Sequence, residues 1–114
     1  MGIIRFPLEN YQISLGDGLT STWGDQTIRA RGVIGCYGTD YRLILYFLTE
    51  DSPVPKPLFI ERACLGAIFL PFRDYPAYID LLRNEKPVYG SIDTEDPTQH
   101  HISTLHEPIG EEES

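Results

Sequence analysis

Thr27-Ile-Arg-Ala-Arg-Gly-Val-Ile-Gly-Cys-Tyr37-Gly-Thr-Asp-Tyr41-Arg-Leu-Ile-Leu-Tyr-Phe47 reads as one long β-hairpin. Gly38-Thr39 can serve as a two-residue type II′ loop, with glycine in the first central position. That turn sets a register. Ile34 faces Leu43, Gly32 faces Leu45, Ala30 faces Phe47, and Cys36 opposite Tyr41 extends the same side. Small residues then oppose large ones, which fills space without voids. The other side carries Arg29, Arg31, Val33 and Gly35 against Leu48, Tyr46, Ile44 and Arg42. Its centre is apolar as well. The ribbon therefore asks for cover on both faces, in a chain of 114 residues with little else to supply it.

Outward from the hairpin, the pattern stays that of strands. Gly2 to Pro7 reads as a short edge strand stopped by proline. Tyr11, Ile13 and Leu15 alternate with Gln12 and Ser14, the period of a half-buried strand. Gly16-Asp17-Gly18 reads as a turn, and so does Trp23-Gly24-Asp25-Gln26. Asp51 to Pro57 holds three prolines at alternate positions, so it should be an extended, stiff crossover. Leu58 to Leu70 is strand again, with an exposed or bulged point at Glu61-Arg62 and a bend or close neighbour at Gly66. One helix is predicted, between Arg73 and Asn84. Asp74 suits its N-cap and Pro76 its first turn, and Tyr75, Tyr78, Ile79 and Leu82 recur at helical spacing. Pro87 to Ile92 and Thr98 to Glu107 supply the last strands.

Length and composition bound the function. A chain of this size makes one domain and buries roughly 60–70% of its unfolded surface. The domain should span residues 1–110, with an acidic disordered tail at 111–114. The net charge is −8, and −5 without Glu111, Glu112 and Glu113. Such a balance repels phosphate backbones and anionic membranes. No apolar run approaches the ~20 residues of a membrane-spanning helix. Two cysteines without a Cys-x-x-Cys pair exclude a zinc ribbon or thioredoxin-type centre. No signal-peptide pattern is present, so the expectation is a cytoplasmic protein with free thiols.

Catalytic and metal motifs fail on geometry. His100 and His101 point to opposite faces of a strand, and His100 and His106 stand about 20 Å apart at ~3.3 Å per residue. Zinc needs its ligands ~2 Å from one point, so the histidines are expected as solvent-facing strand residues and no metal is predicted. Cys36 and Cys64 lie in apolar strands, where a thiol is inert. Gly16-Asp17-Gly18 matches neither phosphate-binding loop pattern and lacks the calcium-loop acids. No cofactor and no catalytic residue is predicted.

Two candidate surfaces remain. Arg29, Arg31, Val33, Arg42, Ile44 and Tyr46 share the second hairpin face and form an arginine-flanked apolar patch. Trp23, Tyr75, Tyr78 and Tyr89 would line a pocket between helix and sheet.

The run Phe69-Leu70-Pro71-Phe72 followed by Tyr78-Ile79-Asp80-Leu81-Leu82-Arg83-Asn84-Glu85-Lys86-Pro87-Val88-Tyr89, with Glu107-Pro108-Ile109-Gly110-Glu111, resembles small uncharacterised proteins of cyanobacteria. The resemblance covers the last half of the chain. It implies a photosynthetic bacterial cytoplasm and carries no catalytic residue.

The expected fold is α+β: a curved, mainly antiparallel sheet or half-open barrel, with one short helix at about residues 74–84. The core should draw on Ile28, Ile34, Leu43, Leu45, Phe47, Ala67, Phe69, Ile79, Leu82 and Val88. The expected function is a non-enzymatic protein-interaction module, homodimeric, because an uncovered apolar face marks an interface. The rivals are a small enzyme or ligand binder using the aromatic pocket, and a nucleic-acid binder using the arginine face with Tyr46.

Overall fold

The structure is a computed structural model and describes residues 2–105. The predicted final strand beyond Leu105, His106 and the acidic tail lie outside the described residues. The strands are β1 (Ile3–Pro7), β2 (Asn10–Trp23), β3 (Gln26–Tyr37), β4 (Arg42–Leu48), β5 (Leu58–Ile60), β6 (Leu65–Pro71), β7 (Val88–Asp93) and β8 (His101–Thr104). The helix α1 (Tyr75–Asn84) follows a 3-10 turn at Phe72–Asp74. The fold is α+β with one α-helix among the described residues, as the sequence predicts. Its sheets are not closed into a barrel. The strands form two open sheets, one of five strands in the order β2-β3-β4-β6-β5 and one of three in the order β1-β7-β8.

The β3–β4 hairpin sits at the centre of the larger sheet. Its loop is longer than expected. Tyr37 pairs with Arg42, so four residues, Gly38 to Tyr41, make the turn. Gly38 does not take the positive φ that a type II′ loop needs. Its missing side chain serves a close approach instead, because a Cβ there would strike the Phe6 ring and the Pro7 carbonyl. The II′-like loop falls at Gly24-Asp25, where Gly24 has φ +66° and Trp23 pairs with Gln26.

Lengthening the turn by two residues shifts the register by two, and an even shift leaves every side chain on its face. Ile34 meets Leu45 and Cys36 meets Leu43. A bulge between Ala30 and Gly32 then does change faces. Beyond it, Ala30 pairs with Leu48 and joins the second face with Ile28. One predicted core thus becomes two. Ile34, Cys36, Leu43, Leu45 and Phe47 pack with Leu82, Val88 and Ile92 beneath the small sheet and the helix. Ile28, Ala30, Leu48, Ala67 and Phe69 form a separate cluster. Nine of the predicted core residues are buried, and Ile79 is half-buried against the first core. Full burial of a side chain such as Leu45 stabilises by about 1.5–3 kcal/mol.

The helix covers the first face. Tyr75 and Tyr78 set their rings edge-on to Phe47 at 5.4 and 5.5 Å. Pro76 occupies its first turn, and Asp74 stands at the N-cap without a side-chain capping bond. The proline-rich segment after β4 is the crossover that brings β6 parallel to β4, the one parallel pair among the described strands. Ser52 anchors it: its hydroxyl accepts the Arg29 N–H at 3.0 Å and donates to the Pro53 carbonyl.

Candidate functional site

The predicted arginine patch does not assemble. The bulge at Arg31 removes Arg29 and Arg31 from the face of Val33 and Tyr46, while Arg42 stands exposed at the opposite end of the hairpin. Arg29 and Arg31 line instead an open groove of about 1050 Å³ with Arg73, Asp17, Glu50 and Asp51. Two of the three cations there already face acids. Arg29 lies 3.5 Å from Asp51, and Arg31 lies 3.8 Å from Asp17 with its guanidinium 5.7 Å from the Phe72 ring. A Thr49 hydroxyl bond, with Arg29 adding a weaker pull, holds the Asp51 carboxyl below the usual range. A phosphate backbone laid in this groove would meet three carboxylates beside three guanidinium groups.

The apolar part of that patch is closed by the chain itself. Val33, Ile44 and Tyr46 are half-buried. Tyr46 stacks on Phe69 at 5.4 Å, and Trp23 folds back from the end of β2 to meet both rings edge-on at 5.6 and 5.9 Å. Burial pushes the Tyr46 phenol above its ordinary value. Val33 and Tyr46 thus gain cover from the second cluster without a second subunit.

The predicted aromatic pocket does not assemble either. Trp23 belongs to the second cluster, whereas Tyr75 and Tyr78 pack into the first. Tyr89 lies under the Arg5 guanidinium at 4.6 Å, on the small sheet. These four rings fill space in three places.

Of the titratable candidates, Cys36 is fully buried, and burial pushes its thiol up to about 12, so it is no nucleophile at neutral pH. Cys64 is half-buried and unpaired. His100 is not a solvent-facing strand residue. It follows a 3-10 turn at Pro97–Gln99, whose Asp96 side chain accepts the Thr98 N–H, and it is buried. Its Nδ1 accepts the Asp93 N–H at 3.1 Å, which leaves Nε2 to donate to the Leu58 carbonyl at 3.0 Å. The ring therefore ties the small sheet to the β5 edge of the large one. Burial pushes its pKa below 6.5. His101 is exposed at the start of β8. No group of three or more metal-ligating side chains occurs among the described residues.

The feature missed from sequence is an edge. Among the described residues, β2 ends the five-stranded sheet and pairs only with β3. It runs for 14 residues with Asp17 as its one charge and no proline. Gly16, Asp17 and Gly18 are not a turn: they form a bulge opposite Arg31 between the Leu15 and Leu19 pairings. The segment Asn10-Tyr-Gln-Ile-Ser-Leu15 before that bulge is wholly uncharged. Ile13 packs against the first core, while Tyr11 and Leu15, on the same face, are 36% and 61% exposed. The signal was present as an uncharged alternating run. Its edge position depends on strand order, which no local pattern carries.

No family model, no curated protein and no solved structure matches this chain. The resemblance to small cyanobacterial proteins therefore gains no support from them.

Proposed function

We propose that the protein is a non-enzymatic interaction module whose contact surface is the free edge of β2, and that it works as a homodimer. One observation carries this reading: β2 is a long edge strand whose first six residues, Asn10 to Leu15, hold neither charge nor proline. An edge strand offers unpaired N–H and C=O groups to any chain that extends the sheet. Proteins that must stay monomeric blunt such edges with lysine, proline or short length. The other sheet edges are blunter: β5 has three residues, β8 has four, and β1 carries Arg5 and ends at Pro7.

The surface differs from the one expected on Val33, Ile44 and Tyr46. Those residues support the sheet from behind. The two unpaired thiols fit a reducing compartment such as the cytoplasm.

Sedimentation velocity from low to high micromolar protein tests the reading. A concentration-dependent dimer that Tyr11→Lys dissolves is the expected result. A monomer throughout, or a dimer indifferent to Tyr11→Lys, overturns it.

A further inference from the structure

We infer that two copies join β2 to β2 antiparallel about a two-fold axis through Ile13, in a seam closed at both ends by acids. The inference rests on the edge-strand reading above and adds the register and its charge control.

Identical strands paired about a two-fold axis place residues of constant sum opposite each other. The apolar faces of the two sheets stay on one side only if that sum is even, because side chains alternate along a strand. A centre at Ile13 fulfils this. It sets Ile13 against Ile13 of the second copy, Tyr11 against its Leu15, and Gln12 against its Ser14. The exposed Tyr11 ring then covers the exposed Leu15 side chain, an aromatic–aliphatic cross-strand pair. Both rows lie on the face that leads into the first core, since Tyr11, Ile13 and Leu15 pair with Cys36, Ile34 and Gly32 of β3. The two cores would become continuous beneath one ten-stranded sheet.

The same register explains where the seam stops. Asn10 meets Gly16, the first residue of the bulge, where regular pairing ends. One step further, Glu9 faces Asp17 of the second copy, twice by symmetry. In a chain of net charge −8 the pairing strand itself is neutral, and its two flanks repel. Asp17 is 98% exposed, and its 3.8 Å contact with Arg31 neutralises little of that charge. The seam spans about 23 Å at ~3.3 Å per residue, shorter than a standard interface, so the dimer is weak and responsive to charge.

The experiment uses the full chain with Ile13→Cys and, separately, Asp17→Asn. Opposed cysteines on paired strands fall within disulfide reach. Mild oxidation of Ile13→Cys is expected to give a covalent dimer. Asp17→Asn is expected to tighten the dimer severalfold at low salt. Asp25→Asn, an exposed acid in the β2–β3 turn about 26 Å beyond Asp17 at ~3.3 Å per residue, is expected to change it much less. A dimer that neither cross-links through residue 13 nor distinguishes Asp17→Asn from Asp25→Asn overturns this register and leaves the module reading standing. A chain that stays monomeric in every variant overturns both.

Discussion

The two edges of the five-stranded sheet are built on opposite plans. At β5 the chain arrives from a segment with prolines at 53, 55 and 57, forms a three-residue strand, and turns away at once through Glu61–Ala63. His100 reaches across from the other sheet to occupy the Leu58 carbonyl. At β2 a strand of 14 residues lies open, neutral over its first six positions and interrupted only by the Gly16–Gly18 bulge. Closing one edge with four devices while leaving the other bare is the pattern expected of a sheet that grows in one direction. Each unpaired edge is a template for association, so an edge left open has a partner or an aggregation cost.

The closed edge is the easier one to break. His100→Ala removes the acceptor of the Asp93 N–H and the donor to the Leu58 carbonyl together. Leaving two part-buried backbone groups unpaired should cost about 2–4 kcal/mol, measured by urea denaturation. The effect should concentrate at β5, with faster amide exchange from Leu58 to Leu65 and little change in β2.

Protonation is a milder version of the same break. His100 is held neutral, with its folded pKa below the ordinary 6.5. A histidine in this state contributes stability that is fully present above pH 6.5 and is lost as pH falls from there through the folded pKa, because the unfolded chain binds the proton first. Asp93 acts in a separate, more acidic window. The Asp96 and Glu95 N–H groups bond its carboxylate and hold it below the ordinary 3.8, so its contribution is present above that value and lost as pH falls further. Denaturation midpoints measured from pH 8 downward should show the first loss below 6.5, and His100→Gln should remove that first step.

These positions also mark how far the sequence could be read. The hairpin, the single helix and the stiff crossover were legible because each rests on a local signal: period two, helical spacing with Pro76 near the start, and alternate prolines. Nine of the core residues followed from the same patterns. The division into two cores was not legible. Ala30-Arg31-Gly32 continues the alternation on paper, and only pairing with β4 shows that a residue is inserted there. His100 was misread because its burial comes from strands 42 residues away in sequence, through Leu58. The candidate site failed for both reasons. Its arginines lie across the bulge from its apolar residues, and its aromatics lie in different layers.

The turn that shortens β5 is itself strained, which gives a smaller test. Cys64 follows the Glu61–Ala63 turn at φ 52°, the left-handed region that favours glycine. Holding a side chain there costs about 1–2 kcal/mol, part of which is returned by its half-burial. Cys64→Gly should therefore raise stability by about 0.5–1 kcal/mol, read as a higher denaturation midpoint. An equal loss would mean that the thiol's packing outweighs the backbone strain and that the closed edge depends on it.

The smallest effect on folding should come from the open edge, and that asymmetry is the sharpest test of the contrast. Leu15 is 61% exposed although it sits mid-strand beside Gly32. Leu15→Lys removes little buried area and sets the new charge in water, so the stability of the protomer should shift by less than about 0.5 kcal/mol. Association should respond far more, because lysine is the residue by which natural edge strands refuse partners. A variant that folds as well as its parent but no longer self-associates would show that Leu15 is kept apolar for contact. A variant that loses several kcal/mol would place Leu15 in the core instead, and the open edge would then be one more wall of the fold.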